Sequence, residues 1–164
     1  MYGEQRRTRA RRLVEDLALP RPLTAATLHR HMETLRGKRI VIREATPSML
    51  AHGVCGLWIE IAGEDYERIH YAPTDSVVHR QQFINHEFGH MILQQHKILL
   101  PAERVALLAP LIPLDAIVYA LARDRFTDEQ EALAEAVGDR LALILRHDAR
   151  AVSHGPQTGF GRVL

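Results

Sequence analysis

The apolar positions of this chain recur first at helical, then at strand, then again at helical spacing. Over 6–19, Leu13, Val14, Leu17 and Leu19 follow a run of arginines, and Pro20 and Pro22 stop the segment, which predicts a first helix. A second helix is predicted from the cap Thr24 to Arg36, with Leu28, Met32 and Leu35 inward and Gly37 as its C-terminal stop. Strands are predicted at 39–43, 54–61 and 66–71, with a loop over 47–53. The last two strands are joined by Ala62-Gly63-Glu64-Asp65, a hairpin signal. Three consecutive strands without long crossovers imply a small three-stranded antiparallel sheet.

Helical spacing returns over 76–96, where Ile84, Phe88, Met91 and Ile92 form a stripe suited to burial. The stretch 98–122 is strongly apolar, but Pro101, Pro110 and Pro113 break it and Glu103, Arg104 and Asp115 charge it. No uninterrupted run of membrane-spanning length remains. Two short helices are expected there, over 102–108 and 114–123. The last helix opens on Thr127-Asp128-Glu129-Gln130, a capping box, and is predicted to run to about Arg146. The expected fold is therefore α+β, with one domain over 1–152 and a flexible tail over 153–164.

Composition narrows the function classes. Of 164 residues, 46% are apolar and 25% charged, ordinary values for a globular domain with a real core. The formal net charge of +1 sets up no global field toward nucleic acid or anionic membrane. Arg6, Arg7, Arg9, Arg11 and Arg12 accordingly read as a solvated helix face, and direct nucleic-acid binding is not expected. The single cysteine, Cys55, excludes an internal disulfide framework and reads as a small buried hydrophobe in a strand. The first residues have no apolar core behind their arginines, so they do not read as a signal peptide. A cytoplasmic location is expected.

The candidate chemistry lies in His86-Glu87-Phe88-Gly89-His90, an HExxH sequence. Residues four apart share a helix face, so His86 and His90 can offer two imidazoles to one metal ion, with Glu87 within reach of a water on it. Gly89 is out of place, because glycine inside a helix costs about 1 kcal/mol relative to alanine. A close approach by another element over this face would explain it. The chain has ten histidines, so a chance match is easier here than usual, and a third ligand is required. Glu131, one turn inside the last helix, supplies a carboxylate, and Ala134, Glu135 and Gly138 share its face. The small residues there would let this helix pack against Gly89 and complete a site of two imidazoles and one carboxylate, with a fourth position for water. By spacing alone, Glu131 is equally an acid favoured by the helix dipole.

HExxH followed on a later helix by Glu131-Ala132-Leu133-Ala134-Glu135 resembles the gluzincin pattern. The arrangement as a whole is similar to the ImmA/IrrE family of metallopeptidase-like proteins, nearest an actinobacterial-type branch, over most of the chain. The residues that carry this are Arg12-Leu13-Val14-Glu15-Asp16-Leu17, Leu19-Pro20-Arg21-Pro22, Arg36-Gly37-Lys38-Arg39-Ile40, Cys55-Gly56-Leu57-Trp58, the strand through Tyr66, Ile69 and Tyr71, and Phe83 to His90. Leu133 departs from the commoner Glu-x-Glu-Ala form of the downstream motif. The resemblance implies a zincin-like fold and a cytoplasmic zinc endopeptidase with His86, His90 and Glu131 as ligands and Glu87 as the catalytic carboxylate. It also implies a protein or peptide substrate, in the family often a helix-turn-helix repressor. Relatives described as toxin-like or regulatory supply the alternative, a non-catalytic zinc-binding module that binds a transcription regulator. Tyr71, His79, His96 and Tyr119 are candidate donors to a developing oxyanion, and Glu135 is a candidate partner for a ligand histidine.

Overall fold

The computed structural model describes residues 2–47, 56–61, 63–94, 98–100 and 127–153. Within them the chain runs α1 (Tyr2–Asp16), α2 (Ala25–Arg36), β1 (Arg39–Glu44), β2 (Gly56–Ile61), β3 (Tyr66–Tyr71), α3 (Val77–Ile92), β4 (Ile98–Leu100) and α4 (Asp128–Ser153). The α+β class is as expected. The expected helices over 102–108 and 114–123, Cys55, and the tail beyond Ser153 lie outside the described residues.

Local chemistry sets the helix ends. Thr24 caps α2 by accepting from the Thr27 N–H, while the Thr27 side chain accepts from the Thr24 N–H. Gly37, at φ 64°, ends the helix in the left-handed region that glycine enters without strain. Ser76 caps α3 through the His79 N–H. Leu28 and Met32 are buried as predicted, but Leu35 is 49% exposed, because it falls just off the α2 stripe that faces the sheet. The last helix continues to Ser153, past the predicted end near Arg146, since no glycine or proline falls between Arg146 and Ser153.

The sheet differs from the antiparallel expectation. Its order is β1-β3-β2-β4, with β1 parallel to β3, β2 antiparallel to β3, and the three-residue β4 parallel to β2. The segment between β1 and β2 is long enough to bypass one strand position, and the hairpin return, β3, fills it. Strand β2 is buried at all six positions, whereas β3, although paired on both sides, has only Glu67 and Ile69 buried. Strand β4 falls in the apolar stretch after 97, where no strand is expected from the sequence.

One buried carboxylate ties α2 to the sheet. Glu67, near the start of β3, accepts from Arg36 at 2.9 Å and from the Trp58 indole N–H at 2.7 Å, and Arg36 lies over the Trp58 ring. Each charge is thus paired and hydrogen-bonded where water is excluded. A second buried acid, Asp148 on α4, receives a bidentate pair from Arg21 and the Leu23 N–H at 2.6 Å, fixing the α1–α2 connection to α4. Arg21 and the Leu23 amide hold the Asp148 carboxyl well below the usual carboxylate range.

Helices α3 and α4 run antiparallel in direct backbone contact. A Cβ on Gly89 would overlap the Ala134 carbonyl, and one on Gly138 would lie 3.1 Å from the backbone of Asn85 and His86. The misplaced helix glycine is therefore explained by close approach, as the sequence suggested. Gly89→Ala should destabilise the fold by about 1–3 kcal/mol, because the overlap outweighs the gain in helix propensity. Thermal unfolding of the two proteins checks this, and an equal or higher midpoint in the variant would contradict it.

Candidate metal centre

The glycine contact sets where α4 begins relative to α3, and so where Glu131 falls. His86 and His90 stand one turn apart on α3 with their Nε2 atoms 3.1 Å from each other. Glu131, in the first turn of α4, brings Oε2 to 3.3 Å from His86 Nε2 and Oε1 to 3.5 Å from His90 Nε2. All three residues singled out in the sequence are thus brought together. His90 is buried, His86 is partly open, and the Glu131 side chain is 44% exposed, so the cluster is closed on its inner side and open outward.

These separations test the fit to a metal. Donors roughly 2.0–2.1 Å from a tetrahedral zinc lie about 3.3 Å from one another. The observed 3.1, 3.3 and 3.5 Å bracket that value. Two imidazoles and a carboxylate are also the donor types of open zinc sites, which keep a fourth position for water or substrate. Among the described residues, His86, His90 and Glu131 form the one cluster able to hold a metal ion.

Glu87 sits beside the cluster, 2% exposed, with its carboxylate against the backbone of Gly56 at the start of β2. A Cβ at Gly56 would come 2.6 Å from Glu87 Oε1. Gly56 is therefore part of the site, a role its position in the sequence did not suggest. The available signal was a glycine opening an otherwise apolar strand, which marks a close approach.

The remaining candidates are placed elsewhere. Tyr71 lies under the Arg80 guanidinium at 5.9 Å, and His79 is exposed in the first turn of α3. Neither makes a hydrogen bond or ion pair to the cluster among the described residues, which do not include His96 and Tyr119. Glu135 is exposed and acts on His86 only through its charge, so it is no hydrogen-bonded partner of a ligand histidine. No described helix is long and apolar enough to cross a membrane.

Electrostatics couple the cluster to protons. Burial pulls the His86 pKa down, but the Glu131 hydrogen bond and the charges of Glu87, Glu131 and Glu135 outweigh it, and the net shift is upward from 6.5. Hydrogen bonds from His86 and His90 hold Glu131 far below the usual carboxylate range.

Comparison with protein-family models, with curated proteins and with solved structures yields no match to this chain. What the site can do therefore follows from its own residues.

A metal must displace the proton from His86, since only neutral imidazole coordinates. Because the folded-state pKa of His86 is raised, this competition begins above pH 6.5 and strengthens as pH falls. Zinc affinity should drop by up to about tenfold per pH unit below that pKa for each proton displaced. Competition titrations with a zinc chelator across this range check it; an affinity independent of pH would contradict it.

Proposed function

We propose that the protein is a zinc-dependent endopeptidase in which His86, His90 and Glu131 hold the metal and Glu87 is the catalytic acid–base. The observation that carries this reading is the convergence of three potential ligand atoms at zinc-like separations beside a fourth group, the buried Glu87 carboxylate. A site that only stored zinc would have no use for that fourth group. The resemblance of the chain to the ImmA/IrrE family points the same way and suggests a helix-turn-helix repressor as the substrate.

Zinc, when bound, supplies a Lewis acid and lowers the pKa of water in its open position toward about 7. The protein supplies the rest. Glu87 accepts a proton from the attacking water at its carboxylate and returns it to the leaving amine. Its position against Gly56 limits where that carboxylate can swing, which fixes the direction from which the proton is taken. Burial of His90 and Glu87 keeps the inner wall dry, while partly open His86 and Glu131 leave an approach for substrate. Strand β2, which carries Gly56, is covered on its outer side over Ile59–Ile61 by β4. Among the described residues β4 is the outer strand of that side, and an extended substrate would add to it, main chain to main chain.

Glu87→Gln should keep one zinc and lose at least about a hundredfold in peptide hydrolysis, the scale of a general acid–base contribution. Gly56→Val should retain zinc but lower kcat, because its side chain would displace the Glu87 carboxylate. Hydrolysis of a peptide library by the wild type and both variants, with zinc content measured in parallel, checks this. Full activity in Glu87→Gln would remove the mechanism. Zinc binding by the wild type without cleavage of the library or of any repressor candidate would favour the non-catalytic regulatory module.

A further inference from the structure

A cavity of about 630 Å³ opens between the α1–α2 connection, the first half of α3 and the C-terminal half of α4, and none of His86, Glu87, His90 and Glu131 lines it. Its walls are mainly aliphatic. Leu23, Ala142 and Leu145 line it, and so do Val77, Val78 and Val152, which are all strongly exposed. The volume and the lining are those of a site for a small organic molecule.

Two carboxamides give this apolar cavity a polar point. One turn apart on α3, Gln81 Nε2 donates to Asn85 Oδ1 at 2.9 Å, and both side chains line the cavity. Asn85 is fully buried, yet its Nδ2 has no acceptor among the described residues. Gln81 Oε1 has no donor among them either. The pair therefore keeps one unused donor and one unused acceptor, and turning both carboxamides over returns the same inventory. Buried polar groups as a rule find a partner, and here the cavity is where one can enter.

Charge around the cavity is balanced. Asp139 and Arg146 contribute one charge of each sign, and the Asp148 oxygens are taken by Arg21 and the Leu23 N–H. No net field selects an ion, so the ligand is chosen by hydrogen bonding and apolar contact. The apolar face of a docked helix would bring no free main-chain group, because those are bonded within the helix. A carboxylate or an ester can accept from Asn85 but has no hydrogen to give to Gln81. A neutral amide supplies both functions at once. We propose that the cavity binds a small aliphatic amide, its head group on Gln81 and Asn85 and its chain along Leu23, Ala142 and Leu145. This holds whether or not the metal centre is catalytic.

An NMR titration of the isotope-labelled full chain with octanamide tests it. Saturable binding is expected, with the side-chain NH2 signals of Asn85 and Gln81 shifting along the same curve. Methyl octanoate and octanoate keep the chain and lose the amide hydrogen, and should bind at least about tenfold more weakly. Gln81→Leu, at a partly exposed position, should bring octanamide down to the level of the ester and leave the ester unchanged. Ala142→Phe, which fills the cavity, should abolish binding of all three. If either variant fails to fold by circular dichroism, the comparison of the three ligands on the wild type still decides the matter. Absence of saturable binding would overturn the proposal. So would equal affinity for amide, ester and carboxylate, which would mean an unselective apolar cleft, or preference for octanoate, which would mean an anion site at Arg146. Binding that survives Ala142→Phe would place the ligand elsewhere and overturn it too. The readout needs no zinc and no hydrolysis, so its failure leaves the peptidase reading untouched.

Discussion

The backbone contact between α3 and α4 is the constraint on which the rest depends. Gly89 lies against the Ala134 carbonyl, and Gly138 against the Asn85–His86 backbone, so the two helices approach as closely as main chain allows. At that distance a side chain in the first turn of α4 reaches two imidazoles one turn apart on α3. A methyl group at either glycine would push α4 outward and draw Glu131 away from His86 and His90. The helix-propensity penalty of the glycines is thus the local expense of a three-residue cluster.

Around this contact the structure fixes its other helices with buried, paired carboxylates. Glu67 joins α2 to the sheet through Arg36 and Trp58, and Asp148 joins the α1–α2 connection to α4 through Arg21 and the Leu23 amide. Neither acid sits at the metal cluster. Both make α4 and the sheet into a frame whose geometry is held by directional bonds as well as by apolar packing around Phe88, Met91, Val137 and Leu141. The acidic start of α4 completes the His86–His90–Glu131 cluster.

Much of this was legible in the sequence for physical reasons. His86, Glu87 and His90 declare themselves by helical spacing. Gly89 announced a close approach because a helix has no other reason to tolerate it, and Thr24 and Gly37 marked the ends of α2 through cap chemistry. Strand pairing was harder to read. Whether β3 follows β2 outward or folds back between β2 and β1 depends on the path of a connecting segment, which leaves no periodic signal. Gly56 was overlooked because its role is a contact across the fold with Glu87, and sequence spacing does not reveal such contacts.

The central claim is that His86, His90 and Glu131 form one zinc site, and metal stoichiometry on purified protein, with Glu131→Ala measured beside the wild type, tests it most directly. The account predicts one tightly held zinc per chain in the wild type and markedly weaker retention in the variant, with the fold intact in both. Zinc held equally by the two proteins would show that Glu131 is not a ligand. No zinc in the wild type, even after incubation with the metal, would contradict the site altogether.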